Sequence, residues 1–296
     1  MHKFMRPFLG LLGLSLATGA LADDVTIPLS NGLMAQGSLE LADGKSISDG
    51  PLVLFVHGTL AHKDMAIVKA QRELLNERDI SVLAINLSLG LDKRIGMYDC
   101  AVPHTHKHRD ALDEIAAWLD WLKEKGATSV VLMGHSRGGN QVAWFGAEQP
   151  NDLIDKFILV APQTWSAKKE VASYHARYQK DLPMVLEKML KAEGNEVKEG
   201  VDFIYCPGAK VTAASFVDYY KPDARMNTPS LLNKISKPTL VVAASEDTVV
   251  ADLPQQMEKL DLSHVTYRMI EDADHMFIDF AGEDLADQVA EFILEE

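Results

Sequence analysis

Cysteine is scarce in this chain of 296 residues: Cys100 and Cys206 are the only two, so one bridge is the most it can form. Neither lies near the N-terminus, where a lipid-modified anchor would need one. Basic residues also run short. Lys and Arg number 29 against 43 Asp and Glu, a formal net charge of -14. A chain of that sign repels polyanions, which argues against nucleic acid as a partner and favours a neutral or cationic ligand. Acidity also keeps a protein soluble, a plainer use of the same charge. No apolar run reaches the roughly 20 residues needed to span a bilayer. Internal repeats, low-complexity tracts and linkers long enough to separate independent domains are missing as well.

The longest apolar run, Phe8 to Ala20, follows Lys3 and Arg6 and ends in Ala20-Leu21-Ala22 before Asp23. That order reads as a secretory signal peptide over residues 1–22, cleaved after Ala22. The expected product spans 23–296, has no stable membrane anchor, and is periplasmic (in a Gram-negative bacterium) or secreted. Its loss of Lys3 and Arg6 makes it more acidic still. Disulfides persist in such compartments, so a Cys100–Cys206 bridge is one expectation and two free thiols the other. About 270 residues remain after the leader, and 47% of the chain is apolar, enough for one sizeable core.

Asp24 to Leu29 and Leu33 to Leu41 read as strands joined across Ser30-Asn31-Gly32, since Asn-Gly supplies the positive φ of a tight hairpin. The run Leu52 to Val56, a helical stretch from Lys63 to Arg78 and the run Val82 to Leu87 then make a strand–helix–strand unit. Leu112, Ile115, Ala116, Leu119 and Leu122 recur at amphipathic helical spacing, with Gly126 as a stop. Further apolar runs at Val130 to Met133, Phe157 to Val160, Thr239 to Ala243 and Val265 to Ile270 precede a closing helix over Asp284 to Leu294. Continuous apolar strands of this kind are expected where helices cover both faces of a mostly parallel, twisted sheet. The alternation lapses between about 162 and 237. There a charged, helix-favouring stretch from Ser166 to Lys198 gives way to Phe203, Tyr205, Phe216, Tyr219 and Tyr220, which reads as an inserted helical cap.

Residues 130–142, Val-Val-Leu-Met-Gly-His-Ser-Arg-Gly-Gly-Asn-Gln-Val, set Ser136 between Gly134 and Gly138 where an apolar run meets a helix-like run. A strained strand-to-helix turn holds a serine oxygen clear of the backbone, within reach of a base and a substrate. The same Gly-x-Ser-x-Gly pattern also occurs in ordinary glycine-rich turns, so its context decides. That context resembles the α/β-hydrolase superfamily, in its esterase, lipase and peptidase branch, over the chain outside the leader and cap.

The resemblance implies an α/β-hydrolase fold and a Ser, Asp, His order in the chain, filled here by Ser136, Asp247 and His275. Asp247 follows the run Thr239 to Ala243, and His275 follows Val265 to Ile270, both on the strand-end rim where Ser136 emerges. Glu246 and Asp274 are neighbouring carboxylates, and Asp247 is preferred over them because the family places its acid shortly after that strand. His57-Gly58-Thr59, directly after Leu52 to Val56, is similar to the family's His-Gly motif. It implies an oxyanion hole, which we assign to the backbone N–H groups of Thr59 and Arg137.

His104, His106 and His108 alternate in Pro-His-Thr-His-Lys-His. Imidazoles two apart could bind zinc or copper. No carboxylate or cysteine at ligand spacing supports that, so a polar loop with no metal is expected. Cys100 and Cys206 fall on the rim and in the cap, and a bridge between them would tether the cap. The function implied is serine hydrolysis of a small-molecule ester, with no cofactor. Amide or peptide hydrolysis by the same triad, and a non-catalytic binding protein on the same fold, are the alternatives. Aromatic residues in the cap fit either an apolar substrate group or packing against the body.

Overall fold

The computed structural model describes residues 22–295, so the leader expected over 1–22 falls outside the described residues except for Ala22. The N-terminal hairpin forms as expected. Strands β1 (Asp23–Pro28) and β2 (Met34–Glu40) pair antiparallel, and Gly32 takes the positive φ of the turn. The alternating segment follows: β3 (Leu52–Val56), α1 (Ala66–Asn76), β4 (Ser81–Asn86), α2 (Asp110–Glu124), β5 (Val130–His135), α3 (Arg137–Glu148) and β6 (Ile154–Val160). After the insertion come β9 (Thr239–Ala244), α7 (Leu253–Met257), β10 (Val265–Ile270) and α8 (Phe280–Leu294), which starts a turn earlier than its apolar periodicity indicates.

Eight strands make one sheet in the order β1-β2-β4-β3-β5-β6-β9-β10, parallel from β4 onward. The chain steps from β3 outward to β4 and then back across β3 to β5. Right-handed crossovers therefore place α1 on one face and α2 and α3 on the other. Gln71 of α1 donates to the Gly282 carbonyl of α8 at 2.7 Å, and Arg78 pairs with Glu283 and Asp287, so α8 shares the face of α1. Between the two layers β3, β4, β5 and β9 are buried along their whole length, which accounts for the apolar runs at their centres.

The insertion carries the expected helices and one element more. Helices α4 (Ala167–Tyr178), α5 (Leu182–Lys191) and α6 (Ala213–Tyr220) are there, but between α5 and α6 runs an antiparallel hairpin, β7 (Val197–Phe203) and β8 (Cys206–Thr212). Its first strand, Val-Lys-Glu-Gly-Val-Asp-Phe, has too few apolar residues to announce itself, and it forms because Phe203 and Cys206 bury at the turn.

Cys206 is bonded to Cys100 across a sequence separation of 106, so the hairpin is fastened to the loop after β4. Cross-links closing loops of this size stabilise by about 2–4 kcal/mol, chiefly by restricting the unfolded chain. A Cys100→Ser/Cys206→Ser double variant is therefore expected to unfold at lower urea with a loss in that range. An unchanged midpoint would show that the bridge contributes nothing.

Candidate active site

Strand β3 is the point where the chain reverses direction across the sheet, and such switch points open a crevice at the carboxyl ends of the strands. Val56 of β3 lies opposite Gly134 of β5, so the residues that follow each strand, His57-Gly58-Thr59 and His135-Ser136-Arg137, emerge side by side. The glycines permit this approach. A Cβ on Gly138 would run into the carbonyl oxygens of Val56 and His57, one on Gly134 would come within 2.5 Å of the Gly138 carbonyl, and one on Gly58 would sit 3.2 Å from the Ser136 Cβ.

Ser136 itself has φ 57° and ψ -120°, a conformation that L-residues avoid, and it caps the N-terminus of α3. Its N–H donates to the Val160 carbonyl at 2.9 Å and its carbonyl accepts from Gln163, so β6 fixes the strained turn from behind. Among the described residues the backbone N–H groups of Thr59 and Arg137 have no backbone acceptor. The first amides of a helix have none within it, which makes them ready donors to an outside oxygen.

The loops after β9 and β10 bring the other two residues in. His275 Nε2 lies 2.9 Å from Ser136 Oγ, and its Nδ1 lies 2.7 Å from Asp247 Oδ2. The second Asp247 oxygen accepts from the N–H groups of Val249 and Val250 at 2.7 and 2.9 Å. Burial raises the Asp247 carboxyl, but the His275 hydrogen bond and these two amides outweigh it and hold the group below its usual range. Asp274, the neighbour set aside above, is exposed and only closes a turn onto the Met276 N–H.

A match to the alpha/beta hydrolase family model runs over residues 53–291. The chain belongs to this family. Among curated proteins, this chain is 27% identical over 172 residues to the "Putative esterase YheT" of Escherichia coli (strain K12), covering 49% of this chain and 47% of that one. It is 26% identical over 157 residues to the bifunctional esterase/perhydrolase DCH of Acinetobacter calcoaceticus, covering 47% of this chain and 56% of that protein. The chain thus spans about half the length of the curated relatives it matches. Among solved structures it resembles Est1E of Butyrivibrio proteoclasticus with ferulic acid bound. The TM-score is 0.65 at 20% identity, over 91% of this chain and 98% of that one. The Pyrococcus furiosus esterase Pf2001 superposes with a TM-score of 0.60 at 17% identity, over 92% and 91%. Identities this low speak for the fold.

Of the histidines behind this alpha/beta hydrolase's site, His57 was singled out from sequence as part of the His-Gly motif and His135 was not. His135 is buried, and its Nε2–H donates to the His275 carbonyl at 2.8 Å, pinning the loop that carries the base. Burial pushes its own ring down to about 3, so it stays neutral. Its place inside the elbow was the available signal. His57 is likewise buried and neutral, pushed down to about 3 by burial and then by the Arg94 charge. Its Nδ1–H donates to the Gly58 carbonyl at 2.8 Å, and its Nε2 accepts from the Leu87 N–H and Arg94. It braces the Thr59 loop and stands back from Ser136.

The three alternating histidines correct the expectation of a polar loop, for all three are buried. They form the seam between body and cap. His104 pairs its backbone with Lys210 and Thr212 of β8, and its ring stacks on Tyr98. His106 Nδ1 lies 2.8 Å from the Tyr219 hydroxyl. His108 holds Arg137 Nη1 at 3.1 Å and Asn140 Oδ1 at 2.9 Å. The bridge expected between Cys100 and Cys206 is present beside this seam. The cap aromatics mostly pack: Phe203, Phe216, Tyr219 and Tyr220 are buried against one another, and Tyr205 alone is exposed.

Proposed function

We propose that this chain is a serine hydrolase of carboxylesterase type, acting through an acyl-enzyme on Ser136. The observation that carries the reading is the continuous relay Ser136 Oγ, His275, Asp247, with both links at hydrogen-bond length. His275 Nε2 takes the Ser136 proton as Oγ bonds to the ester carbonyl carbon. The carbonyl electrons move onto oxygen, and the resulting oxyanion faces the Thr59 and Arg137 amides, each donor contributing about 3 kcal/mol. Collapse breaks the bond to the alkoxy group, which leaves as the alcohol with the proton from His275. Water, deprotonated by the same ring, then attacks the acyl carbon and frees the carboxylic acid and Ser136. Asp247 keeps Nδ1 protonated throughout, so that Nε2 is the nitrogen that takes up and returns the proton.

Relatives whose names give esterase activity support ester over amide chemistry as the leading case. The Cys100–Cys206 bridge supports placing the protein, matured at Asp23, in an oxidising compartment such as the periplasm.

A fluorophosphonate probe tests the reading directly. Folded protein is expected to be labelled at Ser136 and nowhere else, with labelling lost in Ser136→Ala. Hydrolysis of short alkyl esters should then outpace that of the matching anilides. A folded wild-type protein that resists the probe would overturn the proposal.

A further inference from the structure

Two cavities meet at Ser136. The larger, about 340 Å³, lies under the cap, and the smaller, about 130 Å³, lies on the side of His275. In the reaction proposed above, the departing alcohol oxygen takes its proton from His275 Nε2, so the alcohol must occupy the side that His275 lines. The acyl chain then fills the larger space. At about 30 Å³ for a water-sized group, the alcohol side admits roughly four heavy atoms and the acyl side roughly eleven. Ala61, Met65 and Met276 make the alcohol side apolar, which suits a methyl, ethyl or propyl group.

The acyl side is charged. Glu170, Ser173 and Arg177 stand at helical spacing on one face of α4, and Arg137 projects from the first turn of α3. Lys169, also on α4, is occupied by Asp252 and Thr164. The two guanidinium groups are only part-used. Arg137 spends Nε on Thr59 Oγ1 and Nη1 on His108, and lies over the Tyr219 ring at 5.0 Å. Arg177 spends Nη1 on the Ile204 carbonyl and lies over Tyr205 at 4.5 Å. Among the described residues, Arg137 Nη2 and Arg177 Nε and Nη2 have no acceptor, and Glu170 forms no ion pair with any of the surrounding cations.

From this geometry we infer that the larger cavity receives an acyl chain ending in a carboxylate, so that the preferred substrates are short-alcohol half-esters of dicarboxylic acids. The inference rests on the esterase reading for its orientation of acyl and alcohol. Guanidinium edges match carboxylate oxygens in pairs, which a neutral alkyl chain cannot use. This reverses the expectation, drawn from the net charge of -14, that a neutral or cationic ligand is favoured. Charges beyond a Debye length of about 10 Å are screened, and it is the nearby Arg137 and Arg177 that an entering group meets. Glu170 is the one opposing group. Burial raises its carboxyl above the usual range despite Arg137, Arg177 and Lys169, so it protonates more readily than a surface glutamate as an anion arrives.

Monomethyl glutarate and dimethyl glutarate differ by one charge at the far end of the same chain. Followed by pH-stat at low salt, kcat/KM is expected to favour the half-ester by at least about tenfold, the factor that a 1.4 kcal/mol interaction confers. Arg177→Gln should erase most of that preference, Arg177→Lys restore part of it, and Glu170→Gln enlarge it. Calorimetric titration of glutarate into Ser136→Ala protein reads the same site without catalysis, and binding should weaken when Arg177→Gln is added. Cleavage of both esters without preference, together with no glutarate binding, would overturn this inference and leave the esterase reading intact. Glutarate binding with neither ester cleaved would do the reverse.

Discussion

Asp247→Asn is expected to lower kcat on a short alkyl ester by about 10,000-fold, and Asp274→Asn to change it by no more than about threefold. The two aspartates lie on neighbouring loops at the same end of the sheet, but their surroundings differ. Asp247 is buried, with one oxygen at 2.7 Å from His275 Nδ1 and the other held by two amides. An asparagine there can present its NH₂ to Nδ1, which stabilises the wrong tautomer and leaves Nε2 carrying a proton when Ser136 needs a free base. The loss therefore falls on kcat, with KM nearly unchanged, because the fault lies in the proton transfer. Asp274 is exposed and braces a turn that an asparagine braces equally well. Steady-state kinetics of the two variants decide the matter, and the opposite ranking would remove Asp247 from the relay.

Acid should unfold this protein early. His57, His104, His106, His108 and His135 are all buried, and burial lowers each ring below its ordinary value, to about 3 for His57 and His135 and about 4 for His104. In the unfolded chain the same rings take up protons near pH 6.5. Between these limits the unfolded state binds more protons, so stability rises with pH and is lost as pH falls below about 6.5. Each ring contributes up to about 1.4 kcal/mol per pH unit, and together they remove several kcal/mol, on the order of a domain's whole stability, by about pH 5. Urea midpoints measured from pH 7.5 to 5 should fall steeply below pH 6.5. A flat profile would mean that these rings are already protonated in the folded state.

The sheet and the relay were legible in the sequence for one reason: their signals are local and repeat. Leu52 to Val56 and Val130 to Met133 are apolar without interruption because both faces are covered, and Ser136 follows such a run directly, while Asp247 and His275 were found from the family resemblance just past β9 and β10. What sequence reading missed depends on distant partners. Val197–Phe203 is a strand only because Cys206–Thr212 lies beside it and Cys100 fastens the turn. His104, His106 and His108 look like a wet loop until Tyr219, Asn140 and Val211 close over them. Glu170 and Arg177 are ordinary helix-surface charges by sequence, and only the placement of α4 beside Ser136 makes them line its cavity.

A covalent bond at Cys206, a strand-like pairing of His104 with Val211, and contacts from His106 to Tyr219, from the His108 N–H to Asp218 and from Asn140 to Arg225 and Thr228 fasten the insertion at several separate points. A roof fixed in this way works as a sieve and not as a hinged lid. The exposed Tyr205 and Val249 line the cavity at Ser136 beside this roof. On the esterase reading, such a roof limits the size of a substrate before any chemistry begins.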